Sequence, residues 1–158
     1  MRLKATATAL PRPNTSGHQM TTTVDITFRD LNLPEPILQA LEKVGYEKPS
    51  PIQAEAIPYL LEGHDLLGQA QTGTGKTAAF ILPIIQRILA KPEKHVRVLI
   101  IAPTRELAEQ INDFTNEIIN NTHLKSVSIY GGVSKNAQIT KLRGGVDIVA
   151  ACPGRLLD

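Results

Sequence analysis

The strongest chemical pattern in the chain is Gly68-Gln69-Ala70-Gln71-Thr72-Gly73-Thr74-Gly75-Lys76-Thr77. Glycines let a backbone turn so tightly that successive N–H groups face one anion. A helix that starts directly afterwards adds its positive end to that cradle. Lys76 is then placed to reach the terminal phosphates of a nucleotide, and the Thr77 hydroxyl to hold a magnesium ion. The general pattern of such loops has glycine where this chain has Ala70. Alanine serves there if its φ stays negative. The competing reading is a glycine-rich turn of purely structural purpose. Flanks of strand type before the loop and helix type after it favour nucleotide binding.

Upstream stands Gly45-Tyr46-Glu47-Lys48-Pro49-Ser50-Pro51-Ile52-Gln53. A glutamine amide both accepts from the amino group of adenine and donates to its ring nitrogen, a pairing open to no other base. Tyr46 is a candidate to stack on such a base, and Phe28, 17 residues before Gly45, a candidate to brace the segment. The same stretch also reads as an ordinary helix start, with Ser50 as cap and Pro51 in the first turn. Both readings can hold together.

Three further groups follow predicted strands: Pro103-Thr104-Arg105-Glu106-Leu107-Ala108, Gly131-Gly132 and Cys152-Pro153-Gly154-Arg155. Open parallel sheets bind ligands at the carboxyl ends of their strands. Helix N-termini, glycine amides, Thr104, Arg105 and Arg155 offer donors to phosphate oxygens without reading base identity. Singly, each has a plainer reading: Thr104 as helix cap, the glycine pair as a turn, Arg155 as a solvated charge. His18, His64, His95 and His123 show no metal-ligand spacing and are expected at the surface.

The elements that must position these groups alternate in type. Ile37, Leu38, Leu41 and Val44 recur at helical spacing after Pro34, with Gly45 as the stop. Ile52, Ala56, Ile57, Leu60 and Leu61 form a second helical face ended by Gly63, with Pro58 as a kink. Residues 65–69 predict a short buried strand, and residues 76–90, apolar nearly all round, a buried helix. The aliphatic run 96–102 predicts a central parallel strand. A helix marked by Leu107, Ile111, Phe114 and Ile118, a strand at 127–130, a helix at 134–143 capped by Gly144 and a strand at 146–151 complete the series. Alternation of this kind means βαβ units in a parallel sheet with helices on both faces.

Taken in order, these groups resemble the DEAD-box RNA helicases over about residues 26–158. The stretch 70–77 is similar to that family's motif I, which carries alanine at the position of Ala70. The stretch 45–53 resembles its Q motif, and Phe28 the isolated aromatic before it. Residues 103–108 resemble motif Ia, Gly131-Gly132 the paired-glycine loop, and 152–155 motif Ib, usually Thr-Pro-Gly-Arg. Cys152 departs from that pattern, and a thiol is a poor replacement for a hydroxyl donor.

The resemblance implies a P-loop NTPase fold, a RecA-like parallel sheet, and ATP-driven RNA unwinding in a full-length parent. It implies ATP at Phe28, Tyr46, Lys48, Gln53, Gln71, Thr72, Gly73, Thr74, Gly75, Lys76 and Thr77, with Mg2+ at Thr77. It implies RNA, single-stranded or duplex, held through its backbone at Pro103, Thr104, Arg105, Gly131, Gly132, Pro153, Gly154 and Arg155. No catalytic residue is assigned. The family's Asp-Glu-Ala-Asp motif, its Ser-Ala-Thr motif and its second motor domain have no counterpart before Asp158. Residues 25–158 are therefore expected to be a helicase ATP-binding domain cut before its hydrolytic residues. The alternative is a short, non-catalytic ATP- or RNA-binding module.

Composition sets the outer bounds. The 158 residues are long enough for one domain with a real core. No apolar run reaches the roughly 18 residues of a membrane span, so no membrane partner is expected. Cys152 is the sole cysteine, which excludes an internal disulfide and suits a reducing cytoplasm. Residues 1–24 hold Arg2, Lys4 and Arg12 without an acid and read as a disordered tail, with Met20 a plausible second start. Without that tail the formal charge of +2 falls to −1, so bulk charge gives no argument for nucleic acid.

Overall fold

The computed structural model describes residues 26–93 and 95–158, and the tail expected at 1–24 lies outside them. A short 3-10 turn at Phe28–Leu31 leads into α1 (Glu35–Lys43), α2 (Pro51–Leu61), α3 (Lys76–Leu89) and β1 (Val98–Ile101). Then come α4 (Arg105–Ile119), β2 (Ser126–Ile129), α5 (Lys135–Arg143), β3 (Ile148–Ala151) and α6 (Pro153–Leu156). The three strands form a parallel sheet in the order β1-β3-β2. Among the described residues no helix is long and apolar enough to cross a membrane.

Local chemistry explains the boundaries. Gly45, at φ +80°, turns the chain out of α1, and its N–H donates to the Glu42 carbonyl. The Thr104 hydroxyl accepts from Leu107 N at 3.2 Å and caps α4, as a threonine at that position should. Gly144 closes α5, its N–H shared between the carbonyls of Thr140 and Lys141. The helix expected at 76–90 forms as α3 (Lys76–Leu89), with Arg87 its sole exposed residue.

One face of the sheet carries the main core. Val98, Ile100, Ile148 and Ala150 pack there against Ile37 and Leu41 of α1, Ile57 of α2, Ile81, Leu82 and Ile85 of α3, and Ile111 and Ile118 of α4. The opposite face has a smaller cluster of Ile129, Val146, Val149 and Ala151, with Leu142 of α5 against it. Helices therefore lie on both faces, but the second layer is incomplete.

Two strand expectations need correction. The run 96–102 does not make a central strand: β3 is central and β1 is an edge. Its continuous apolarity reads as burial on both faces, yet Leu99 and Ile101 are 51% and 52% exposed because no described helix covers that side. Residues 65–69 form no strand at all and are exposed throughout, Leu67 to 82%. A strand exists through its ladder, and no described strand lies alongside to pair with this segment.

Register is tied at the amino-terminal ends of the strands. Arg97 donates through Nη2 to Asp147 Oδ1 at 2.6 Å, and through Nη1 to the carbonyls of Ile88 and Lys91 at 2.6 Å each. Asp147 Oδ2 accepts from Lys125 N at 2.9 Å. One buried ion pair, its side chains 8% and 12% exposed, thus joins the end of α3 to β1, β3 and the start of β2. Removing one partner of such a pair strands a buried charge. Asp147→Ala is accordingly expected to lower stability by about 3 kcal/mol, read from the urea midpoint; a loss within about 0.5 kcal/mol, the range of an ordinary surface change, would contradict this.

Candidate nucleotide site and the carboxyl edge of the sheet

The loop 68–77 is built by its own glycines and by a neighbour. Gly73 and Gly75 hold φ of +81° and +87°, a region that L side chains rarely adopt. Ala70 is not among the positive-φ residues, so alanine sits there without strain. Thr74 Oγ1 donates to Gln71 O at 2.8 Å. Lys76, the first residue of α3, turns its ammonium back onto the carbonyls of Ala70 and Gln71, the latter at 2.6 Å. The half-buried Thr77 hydroxyl has no hydrogen-bond partner among the described residues.

Gln53 sits elsewhere than a free base-reading amide would. It is 2% exposed, and both ends of its amide are engaged within the protein. Oε1 accepts from Ser50 N at 2.9 Å, and Nε2 donates to Gly75 O at 3.1 Å. Ser50 is the N-cap residue of α2, as expected, and its hydroxyl also donates to Thr74 O at 2.7 Å. The stretch 45–53 is therefore bonded directly to the glycine loop. A Cβ on Gly75 would fall 2.2 Å from Gln53 Nε2.

The aromatics form a chain: Phe28 meets Tyr46 edge-on at 6.2 Å, and Tyr46 meets Phe114 of α4 at 5.8 Å. Phe28 and Tyr46 also line a hollow of about 460 Å³ with Leu38, Leu41 and Gly45. Tyr46 is thus held between two rings. Lys48 is exposed nearby.

The other predicted groups all reach one edge of the sheet. Parallel pairing aligns Ile101 and Ile129 with Ala151, so the segments after β1, β2 and β3 emerge together. Pro103, Thr104 and Arg105 follow β1; Gly131 and Gly132 follow β2; Pro153 and Gly154 follow β3; all are exposed. Arg155 is 14% exposed at its side chain and donates both Nη groups to Val133 O at 3.2 Å. Its fork therefore joins the α6 segment to the glycine-pair loop rather than standing free as a solvated charge. Cys152 is a partly buried free thiol. His64 and His95 are exposed beside Glu62 and Glu93.

Two residues at this edge escaped the sequence reading. The Tyr130 hydroxyl donates to Glu109 Oε1 at 2.5 Å, and Arg105 lies over the Tyr130 ring at 4.6 Å. Tyr130's bond holds the Glu109 carboxyl below the usual range, and Glu109 pushes the phenol up. The available signal was the i,i+4 spacing of Arg105 and Glu109. Tyr130, ending the strand run just before Gly131, gave no signal of its own.

A parallel α/β sheet with a glycine loop opening a helix defines a nucleotide-binding class of protein, and sequence comparison narrows it. Residues 50–158 match the family model of the DEAD/DEAH box helicases, and the chain belongs to that family. It is 51% identical over 138 residues to an ATP-dependent RNA helicase DeaD of Escherichia coli K12, covering 85% of this chain and 21% of that protein. Among solved structures it is similar to the RNA helicase Prp28 of Chaetomium thermophilum bound to ADP, with TM-score 0.78 and 42% identity over 84% of this chain and 33% of that one. A DEAD box protein of Methanococcus jannaschii gives TM-score 0.77 and 40% identity over 84% and 36%. The chain spans about a fifth of the length of the bacterial relative.

The contact between Gly75 and Gln53 yields a matched pair of substitutions. Gly75→Ala meets both a positive φ and the Gln53 amide, and is expected to destabilise the protein by about 1–3 kcal/mol in urea unfolding. Gly68→Ala, whose Cβ meets only Leu66 Cδ2 at 3.8 Å, should change stability by no more than about 0.5 kcal/mol. Equal effects would remove the steric account of Gly75.

Proposed function

We propose that this chain is the ATP- and RNA-binding part of an ATP-dependent RNA helicase, whose parent couples ATP hydrolysis to RNA unwinding. Residues 25–158 form, on this reading, the front of a RecA-like motor domain that works opposite a second one. The observation that carries the proposal is the tie between the glycine loop and the Ser50–Gln53 turn, with Lys76 pointed into that loop.

The residues present fit a nucleotide triphosphate. Lys76 lies on two backbone carbonyls, which stand where phosphate oxygens offer a stronger, charged acceptor. With Lys76 turned from those carbonyls to phosphate, the loop N–H groups of Gln71, Thr72, Gly73, Thr74 and Gly75 are assigned to line the anion at the start of α3. The Thr77 hydroxyl is assigned to Mg2+, which when bound neutralises charge on the phosphates. Phe28, Tyr46 and Lys48 are assigned to the nucleoside side. Gln53 is assigned to adenine recognition, which requires its amide to exchange Ser50 N and Gly75 O for the base edge.

RNA is assigned to the carboxyl edge of the sheet. Pro103, Thr104, Arg105, Gly131, Gly132, Pro153 and Gly154 supply sequence-independent backbone contacts there, and Arg155 supports them by bracing Val133. A reducing, cytoplasmic setting is supported by the single free thiol.

Two measurements test this. Lys76→Ala should weaken ATP binding at least about tenfold in calorimetry, since a charge-assisted contact is lost, while leaving the urea midpoint in place. ATP affinity equal to that of the unsubstituted chain would remove the loop's assigned role.

Turnover is a separate matter. Among the described residues neither Lys76 nor Thr77 has a carboxylate partner, and Glu106 is explained by its place in the first turn of α4. The 158-residue chain should therefore show no RNA-stimulated phosphate release with saturating Mg2+ and RNA. Release that disappears in Lys76→Ala would require a base within this chain and favour a self-sufficient enzyme.

A further inference from the structure

Arg105 is the one arginine of the carboxyl edge whose guanidinium ends are open. Among the described residues its Nη groups have no hydrogen-bond partner, in contrast to the Arg155 fork on Val133 O. An arginine side chain on a surface has many rotamers, and fixing one costs entropy each time it binds. Here two contacts restrict it, and a third bond joins the two groups that make them. Its guanidinium carbon lies 4.6 Å from the centroid of the Tyr130 ring, in cation–π range. Its Nε donates, at a long 3.4 Å, to Glu109 Oε1. That same oxygen accepts the Tyr130 hydroxyl at 2.5 Å, which fixes the ring and the carboxylate to each other.

Tyr130 is itself anchored. Its ring packs against the main core, and its carbonyl accepts from Gln138 Nε2 of α5 at 3.0 Å. The support under Arg105 is therefore built from the end of β2 and two turns of α4, both rigid elements.

We propose that Tyr130 and Glu109 are positioning residues that hold the Arg105 guanidinium with its Nη fork presented to an RNA phosphate. The inference rests on the reading that this edge binds an RNA backbone. Glu109 takes up Nε, and the ring takes up one face of the guanidinium. The Nη fork, whose geometry matches a phosphate, is left outward. Glu109 is thus an acid that favours anion binding, by order rather than by charge.

That sign separates the proposal from simple electrostatics. Removing an acid from a phosphate-binding face should strengthen RNA binding on charge alone. Positioning predicts the reverse. Binding of a fluorescent single-stranded oligouridylate to the 158-residue chain is to be measured at a series of salt concentrations, with unfolding midpoints in parallel. Arg105→Ala should weaken binding and reduce the slope of log K against log salt by about 0.7, one phosphate contact on a single strand. Glu109→Ala should weaken binding about threefold despite the gain of net positive charge, with an unchanged midpoint, because its loss costs roughly the energy of one weak ordering contact. Tyr130→Leu should match Arg105→Ala and add nothing in the double variant. Tyr130→Phe, which keeps the ring under the guanidinium, should retain more binding than Tyr130→Leu.

Glu109→Ala binding as tightly as the unsubstituted chain, or more tightly, overturns the positioning role, and does so even if Tyr130→Leu fails to fold. An Arg105→Ala variant with unchanged RNA binding overturns the assignment of RNA to this edge instead.

Discussion

The buried pair of Arg97 and Asp147 fixes what the rest of the structure depends on. It sits where α3 ends and where the strands begin, and it reaches backbone groups of Ile88, Lys91 and Lys125 besides its own ion pair. A parallel sheet has slanted, evenly spaced bonds and no hairpin to impose register, so register must come from elsewhere. Here it comes from side chains at the amino-terminal edge. With that end pinned, Ile101, Ile129 and Ala151 fall level, and the segments following them leave the sheet side by side. The geometry of the carboxyl edge is set from the opposite end of the strands.

The glycine loop is held by a second tie, independent of the sheet. Ser50 and Gln53 contribute one hydroxyl, one backbone N–H and one amide to a junction with Thr74 and Gly75. A buried amide left unpaired is costly, so Gln53 and the loop carbonyl constrain each other. The φ of Gly75 and the absence of its Cβ make the approach possible. Conformation and contact both require glycine at this position, whereas at Gly73 only the backbone angle does.

Polar groups at the carboxyl edge divide into two kinds. Arg155 is engaged in holding Val133, whereas Thr104 caps α4 as an acceptor and keeps its O–H to donate. Arg105 is supported from beneath and left open at its ends. Donors that look alike in a motif therefore differ in what they have left to offer a ligand. The plain structural readings of Thr104 and of the Gly131-Gly132 turn hold beside any functional one, because capping and turning are what bring backbone N–H groups to the surface.

By itself the sequence determined the order of the helices and of the three strands that form, and the local backbone of the glycine loop. Glycine spacing around Lys76 and Thr77, the helix stops at Gly45 and Gly144, and the caps at Ser50 and Thr104 are local matters of φ, donors and acceptors, legible within a few residues. Tertiary structure alone decided which strand is central, because apolar runs say how much surface wants burial and nothing about which neighbour supplies it. Residues 65–69 and the outer side of β1 are apolar yet uncovered for that reason. It also decided the partners of Gln53, Arg97 and Tyr130, which lie 22, 50 and 21 residues away along the chain. Such pairings leave no periodic trace: they depend on the register of packed elements, which no residue-to-residue spacing encodes.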